Sequence, residues 1–186
     1  MHKSQIRKSS ASQRTQLSIK QVEALSLQLL YQFQKLDFTA VHSVHVFLPI
    51  AEKKEPDTFL FIEWLSEQHP NIKIIVPKAD FSSSLMTHHV YSGRAGLSKN
   101  LYNILEPLDS TPYNDRIDMV LIPMLAFDRK GYRVGYGKGF YDRFLQSIDT
   151  LKVGLSFYSP IDLIDDVNEF DVRLDLCITP EQMFEF

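Results

Sequence analysis

Four apolar residues in a row, Met119 to Ile122, sit between Asp118 and Pro123. The run is too short for an ordinary helix, and as a strand it would point apolar side chains to both sides. Such a strand needs cover on both faces, which is the condition of a parallel sheet held between helical layers. The rest of the chain supplies the helices. Ser18 and Gln21 have capping-box spacing, and Val22, Leu25, Leu29 and Phe33 recur at helical intervals, predicting a helix from about 18 to 36. Residues 56–68 predict a second helix, with Asp57 or Thr58 as its cap, and 139–148 a third, with Phe140, Tyr141, Phe144, Leu145 and Ile148 on one stripe. Strands are predicted at 41–49, 72–77, 85–91, 117–123, 151–157 and 173–179. Alternating strands and helices imply an α/β, three-layer fold with a mostly parallel sheet flanked by helices. The 186 residues suit one domain spanning 1–186.

Charge and cysteine usage narrow the function. A net charge of -3 argues against a nucleic-acid partner. The single cysteine, Cys177, rules out an internal disulfide framework, and its apolar strand marks it as core. The opening "MHKSQIRKSSASQR" lacks the apolar segment of a secretory signal, though its basic, Ser-rich and acid-free composition is also that of a transit peptide, and no apolar run approaches the ~20 residues of a membrane span. A cytoplasmic location and small-molecule ligands are expected. His42 and His45 fall on opposite sides of one strand, as do His88 and His89 of another, and all four are expected to be structural or exposed.

Of the 7 glycines, four fall between residues 131 and 140. The stretch "GYRVGYGKGF" is neither a Walker loop, since Gly139 follows Lys138 where Ser or Thr is required, nor a dinucleotide fingerprint. It still has the physics of an anion site. Glycines let backbone N–H groups approach a ligand, and a predicted helix start follows. Arg129, Lys130, Arg133, Lys138 and Arg143 surround it against only Asp128 and Asp142. A glycine-rich connection with a solvated basic face explains the same residues. Asp142 either complements the helix dipole or binds Mg²⁺ beside phosphates. Lys3, Arg7 and Arg14 would share one face if the N-terminus were helical.

Taken together, "DMVLIPMLAFDRKGYRVGYGKGFYDRFL" (118–145) resembles the signature of the 5-formyltetrahydrofolate cyclo-ligases, also called 5,10-methenyltetrahydrofolate synthetases. The N-terminal Lys3 and Arg7, the segment "FLPIAEKKEPDT" (47–58) and the segment "NEFDVRLDLCITPE" (168–181) resemble further parts of the family pattern. Met124, Val134 and Phe140 depart from the usual residues, and the "AEKK" stretch adds residues before Glu55.

The resemblance implies an ATP- and Mg²⁺-dependent ligase acting on 5-formyltetrahydrofolate. It implies that Lys3, Arg7, Arg133, Gly135, Tyr136, Gly137, Lys138, Gly139, Phe140 and Tyr141 hold ATP, with Lys138 and Arg133 as the catalytic cations. It places Asp142 and Asp171 on the metal, and Leu48, Glu55 and Tyr102 on the folate. Two other readings use the same features: a phosphosugar isomerase or CoA-transferase-like enzyme, which needs no ATP, and a folate-binding module without turnover. Retention of Glu55, Arg133, Lys138, Asp142 and Asp171 together speaks against the last, because a pure folate binder has no use for the ATP half.

Overall fold

The computed structural model describes residues 1–108 and 111–186. In chain order the elements are α1 (Lys3–Thr15), α2 (Ile19–Phe33), β1 (Ser43–His45), α3 (Phe59–Gln68), β2 (Lys73–Asp80), β3 (Leu85–Val90), β4 (Leu97–Lys99), β5 (Leu105–Pro107), β6 (Met119–Pro123), β7 (Ala126–Phe127), β8 (Arg133–Val134), α4 (Phe140–Gln146), β9 (Leu151–Leu155), β10 (Leu176–Ile178) and β11 (Met183–Glu185).

The main sheet has 7 strands in the order β11-β10-β9-β6-β1-β2-β3. Its centre is parallel, as expected. Both edges are antiparallel, so the sheet is mixed: four of its six pairings are parallel, as the expectation of a mostly parallel sheet has it, and the two edge pairings are not. The reason is local. Residues 81–84 and 179–182 are too few for a crossover, so each can only turn the chain back. Asp80 builds the first turn by accepting from Ser82 N at 2.9 Å. Thr179 builds the second, with its hydroxyl donating to Gln182 O at 2.8 Å.

The apolar run in β6 behaves as its pattern requires. Met119 and Leu121 pack with Val44, Ile74 and Ile178 under α2 and α3. Val120 and Ile122 pack with Ile75, Cys177 and Leu145 of α4 on the other face. The three layers are therefore α2 and α3, then the sheet, then α4 with the β7–β8 hairpin. Among the described residues, no helix is long and apolar enough to cross a membrane.

Ser18 closes a full capping box on α2: its side chain accepts from Gln21 N at 3.2 Å, and its own N–H donates to Gln21 Oε1 at 2.8 Å. Helix α3 starts at Phe59, with Thr58 in the N-cap position; the Thr58 hydroxyl donates to Phe47 O, and the Asp57 side chain accepts from Phe59 N at 3.1 Å. The strand predicted over 41–49 pairs only at Ser43–His45; beyond it the chain leaves the sheet to wall a cleft. His45 is fully buried in a ring cluster with His88, 5.1 Å away, and Phe144 of α4. Burial pushes both imidazoles down, His88 to about 4, so the pair is neutral near pH 7.

Candidate active site

In the sheet order, β1 lies between β2 and β6, so the chain winds in opposite directions on its two sides. At such a switch point the carboxyl ends of the strands leave a crevice. Here it is a cleft of about 920 Å³, walled by Phe47 and Leu48 beyond β1, Pro123 at the end of β6, and the glycine loop after β8.

The loop is built from its base. Asp128 is fully buried and accepts three backbone N–H bonds, from Lys130 at 2.9 Å, Tyr132 at 3.0 Å and Ile164 at 3.1 Å. Gly131 takes φ +84, and a Cβ there would lie 2.6 Å from Phe186 Cγ. Further along, Gly137 and Gly139 also have positive φ, +88 and +70. Between them stands Lys138, exposed, its side chain without a hydrogen-bond partner among the described residues. Two arginines fasten the loop. Arg7 Nε donates to Gly135 O at 2.9 Å, and Arg143 donates to Lys138 O at 2.5 Å. Arg143 also donates to Ser84 O at 2.9 Å, tying the loop to the β2–β3 turn.

Arg133 is buried, and its guanidinium is engaged internally. It donates to Val172 O and, at 2.7 Å, to Asp142 Oδ1, which also accepts Val172 N at 3.1 Å. Burial pulls its pKa down, opposed by Asp142 and then Asp171. Lys3 Nζ pairs with Asp171 Oδ2, which also takes Asn168 N at 2.7 Å. Each aspartate thus uses one oxygen, while Asp142 Oδ2 and Asp171 Oδ1 have no hydrogen-bond partner among the described residues. No cluster of three or more His, Cys, Asp or Glu suited to a metal occurs among the described residues. Both aspartates line the cleft, and two hard oxygen donors fit Mg²⁺, which usually takes one or two carboxylates and completes its shell with other oxygens. They do not fit a cage of protein ligands alone.

Glu55, on the segment between β1 and α3, also lines the cleft and is 4% exposed. Its Oε2 accepts Ile50 N at 2.8 Å and its Oε1 accepts the Tyr136 hydroxyl at 2.5 Å. Burial raises its pKa, partly offset by the Tyr136 and Ile50 bonds and by Arg14 and Lys53. Tyr136 and Tyr141 are pushed up by burial and by Glu55, so both keep their protons. The Tyr141 hydroxyl is buried without a partner among the described residues. Leu48 lines the apolar floor. Phe140 and Phe81 meet at the mouth with ring centroids 5.3 Å apart.

Of the residues singled out in the sequence, Lys3, Arg7, Leu48, Glu55, Arg133, all of 135–141, Asp142 and Asp171 line this cleft. Tyr102 does not. It is 62% exposed and stacks on Phe81, 4.3 Å between centroids, one ring outside the cleft. Met124 does not either. Its methyl sits over Gly154 of β9, where a Cβ would lie 2.4 Å from it, so this departure is absorbed in the core. The added residues before Glu55 form a 3-10 turn, Ala51–Lys53, followed by Lys54 at φ 49. Lys54 Nζ donates to Thr15 O at 2.5 Å and to Leu17 O, pinning the turn to the end of α1.

Sequence reasoning placed Arg14 beside Lys3 and Arg7 but gave it no role in the site, and it missed Lys53 and Phe81. Arg14 is buried and donates to Met124 O at 3.1 Å and to the Tyr136 hydroxyl. Its place on the face of Lys3 and Arg7 was the available signal; Lys53 and Phe81 had none.

A sequence model of the 5-formyltetrahydrofolate cyclo-ligase family matches residues 1–180. The 5-formyltetrahydrofolate cyclo-ligase of Escherichia coli K12 is 28% identical over 152 residues, covering 78% of this chain and 81% of the relative. The solution structure of Aquifex aeolicus 5,10-methenyltetrahydrofolate synthetase superposes with a TM-score of 0.77 at 29% identity, covering 100% of this chain and 93% of the other. The Mycoplasma pneumoniae 5,10-methenyltetrahydrofolate synthetase has the same fold, with a TM-score of 0.75 at 24% identity over 96% of this chain and 98% of its own.

Proposed function

This chain belongs to the 5-formyltetrahydrofolate cyclo-ligase family, and from that premise we propose that it converts 5-formyltetrahydrofolate and ATP to 5,10-methenyltetrahydrofolate, ADP and phosphate, with Mg²⁺. The observation that carries the proposal is the meeting, in one cleft, of a cation-fastened glycine loop, two half-engaged aspartates and the buried carboxylate of Glu55.

In this reading the formyl oxygen attacks the γ-phosphorus and the bond to ADP breaks. N10 then attacks the activated carbon, phosphate leaves from that carbon, and N10 loses its proton. Little of this is covalent chemistry for the protein; positioning and neutralisation of charge do the work. Glu55 accepts from N–H donors of the pterin, on an acceptor already aligned by Ile50 and Tyr136. Leu48 and Phe47 cover the ring. Lys3 and Arg7, one helical turn apart on α1, and Lys138 face the triphosphate. Arg133 holds Asp142 in place and adds charge behind it. Asp142 and Asp171 would hold Mg²⁺, which neutralises phosphate charge when bound.

The test is optical. The protein mixed with 5-formyltetrahydrofolate and MgATP should generate the methenyl chromophore. Full-rate product without ATP, or with excess chelator, would sink the reading. A cytoplasmic location is part of the same proposal and rests on the single cysteine of the chain, Cys177, not on the fold.

A further inference from the structure

Tyr136 belongs to the glycine loop, yet its hydroxyl reaches Glu55, on the segment between β1 and α3, 2.5 Å from Oε1. The same oxygen accepts from Arg14. A guanidinium can only donate, so the single phenolic proton is forced onto the Glu55 carboxylate. Arg14 is itself fixed by its bond to Met124 O at 3.1 Å. Lys53 Nζ lies 4.0 Å from the Tyr136 ring centroid, on the turn that Lys54 pins to the end of α1. Tyr136 is therefore gripped by α1, by the turn before Glu55 and by Glu55. The loop around it carries Lys138 two positions on, and Gly137 packs against the Arg7 guanidinium, where a Cβ would lie 3.2 Å from Cζ.

We propose that Tyr136 is a positioning residue that couples the two sides of the cleft: a glycine loop ordered around triphosphate holds the Tyr136 hydroxyl on Glu55, and folate on Glu55 holds the loop for nucleotide. This rests on the reading that Glu55 takes the pterin and the loop takes ATP. Coupling of this kind is reciprocal, so either ligand must raise the affinity of the other by one factor. It also sets the acid limb of folate binding. The charged and titratable groups facing Glu55 are Arg14 from α1, Lys53 from the turn, Tyr136 from the loop and Tyr141 from α4. Of these Tyr136 alone donates a side-chain hydrogen bond to it among the described residues, and a donor to the carboxylate favours its ionised form.

Calorimetry decides the matter. The affinity for 5-formyltetrahydrofolate is measured with and without a non-hydrolysable ATP analogue and Mg²⁺, across pH, for the wild type, Tyr136→Phe, Lys53→Ala and Glu55→Gln. In the wild type the nucleotide analogue should tighten folate binding by roughly fivefold or more. Tyr136→Phe should bind both ligands yet lose most of that factor, and the pH midpoint of its folate affinity should move up. A side chain that merely packs the loop would not move that midpoint. Lys53→Ala should lower the coupling partly, and it carries the test if Tyr136→Phe fails to fold. Wild-type coupling and midpoint in Tyr136→Phe, or unchanged coupling in Lys53→Ala where only that variant folds, would overturn the proposal. Wild-type folate affinity in Glu55→Gln would instead overturn the assignment of Glu55 beneath it.

Discussion

Lys138 stands exposed between two left-handed glycines, whereas Glu55, in the same cleft, is 4% exposed with both carboxylate oxygens in hydrogen bonds. The side of the cleft proposed to take triphosphate is made of α1 and the glycine loop, drawn together by cations. The side proposed to take folate is made where β1 leaves the sheet, with core packing behind it. Charge on Lys138 is easily kept because water solvates it, while the more buried Arg133 and Lys3 keep theirs in ion pairs with Asp142 and Asp171. Charge on Glu55 opposes folding and has to be held by donors. Lys138 should therefore matter to turnover and hardly to stability, and Glu55 to both.

Lys138→Ala is the strongest way to break that contrast. Negative charge shifts onto ADP as the bond to the γ-phosphoryl group breaks, so a fixed cation helps the transition state more than the ground state. The expected fall in kcat is about 10²–10³, the loss typical of one such donor. Lys138→Arg should recover only part, since a planar fork does not replace a point charge. Thermal stability should barely move. Near-normal kcat in the alanine variant would reduce the loop to a connection.

Next in size is Glu55→Gln. The amide presents donors where the pterin also donates, so folate affinity should fall by ~1.5–3 kcal/mol, as for a lost bond to a charged group. ATP affinity measured alone should change much less. Isotherms for both ligands check it, and the reverse pattern would exchange the roles of the two sides.

Two glycines of one loop sharpen the comparison further. Gly131→Ala must place a Cβ 2.6 Å from the Phe186 ring at φ +84, while Gly135 has open space and ordinary φ. The first change should lower stability by ~1–3 kcal/mol and the second should leave it nearly unchanged, by chemical denaturation. Equal effects would mean that the loop is not anchored at its base.

How much of this could be read beforehand follows the range of the interactions. The α2 cap is local, and Ser18 with Gln21 announced it. The unbroken apolar run from Met119 to Ile122 announced a strand covered on both faces. The antiparallel edges were missed because periodicity is blind to strand direction; only the shortness of 81–84 and 179–182 carried that information. Helix α1 was legible only as a spacing of Lys3, Arg7 and Arg14. It has one buried apolar residue, Ile6, and its cations find their partners at Asp171, Gly135 and Tyr136, far along the chain. Lys53 over Tyr136 and Phe81 against Phe140 are likewise pairings between distant segments, which no single-sequence pattern encodes. The glycine loop was legible as an anion site, but the distribution of work within it was not: Arg133 turns inward to Asp142, and Lys138 faces out.

The smallest expected effect is on stability against pH, and it bears on Glu55 alone. Burial raises the Glu55 pKa above its ordinary 4.5. An acid whose folded pKa lies above its unfolded one binds its proton more tightly when folded. Its contribution to stability is then fully present below 4.5 and is lost as pH rises through the raised value. At neutral pH the ionised carboxylate is held against its desolvation. The amide introduced by Glu55→Gln does not titrate, and every other group is shared, so the difference in Tm between wild type and variant isolates Glu55. As pH falls from 7 toward 4.5, that difference should move in favour of the wild type. A shift the other way would mean that the bonds from Ile50 and Tyr136 outweigh burial, and that the ionised carboxylate stabilises the fold. Glu55 would then resemble Lys138, a charge that does not oppose folding.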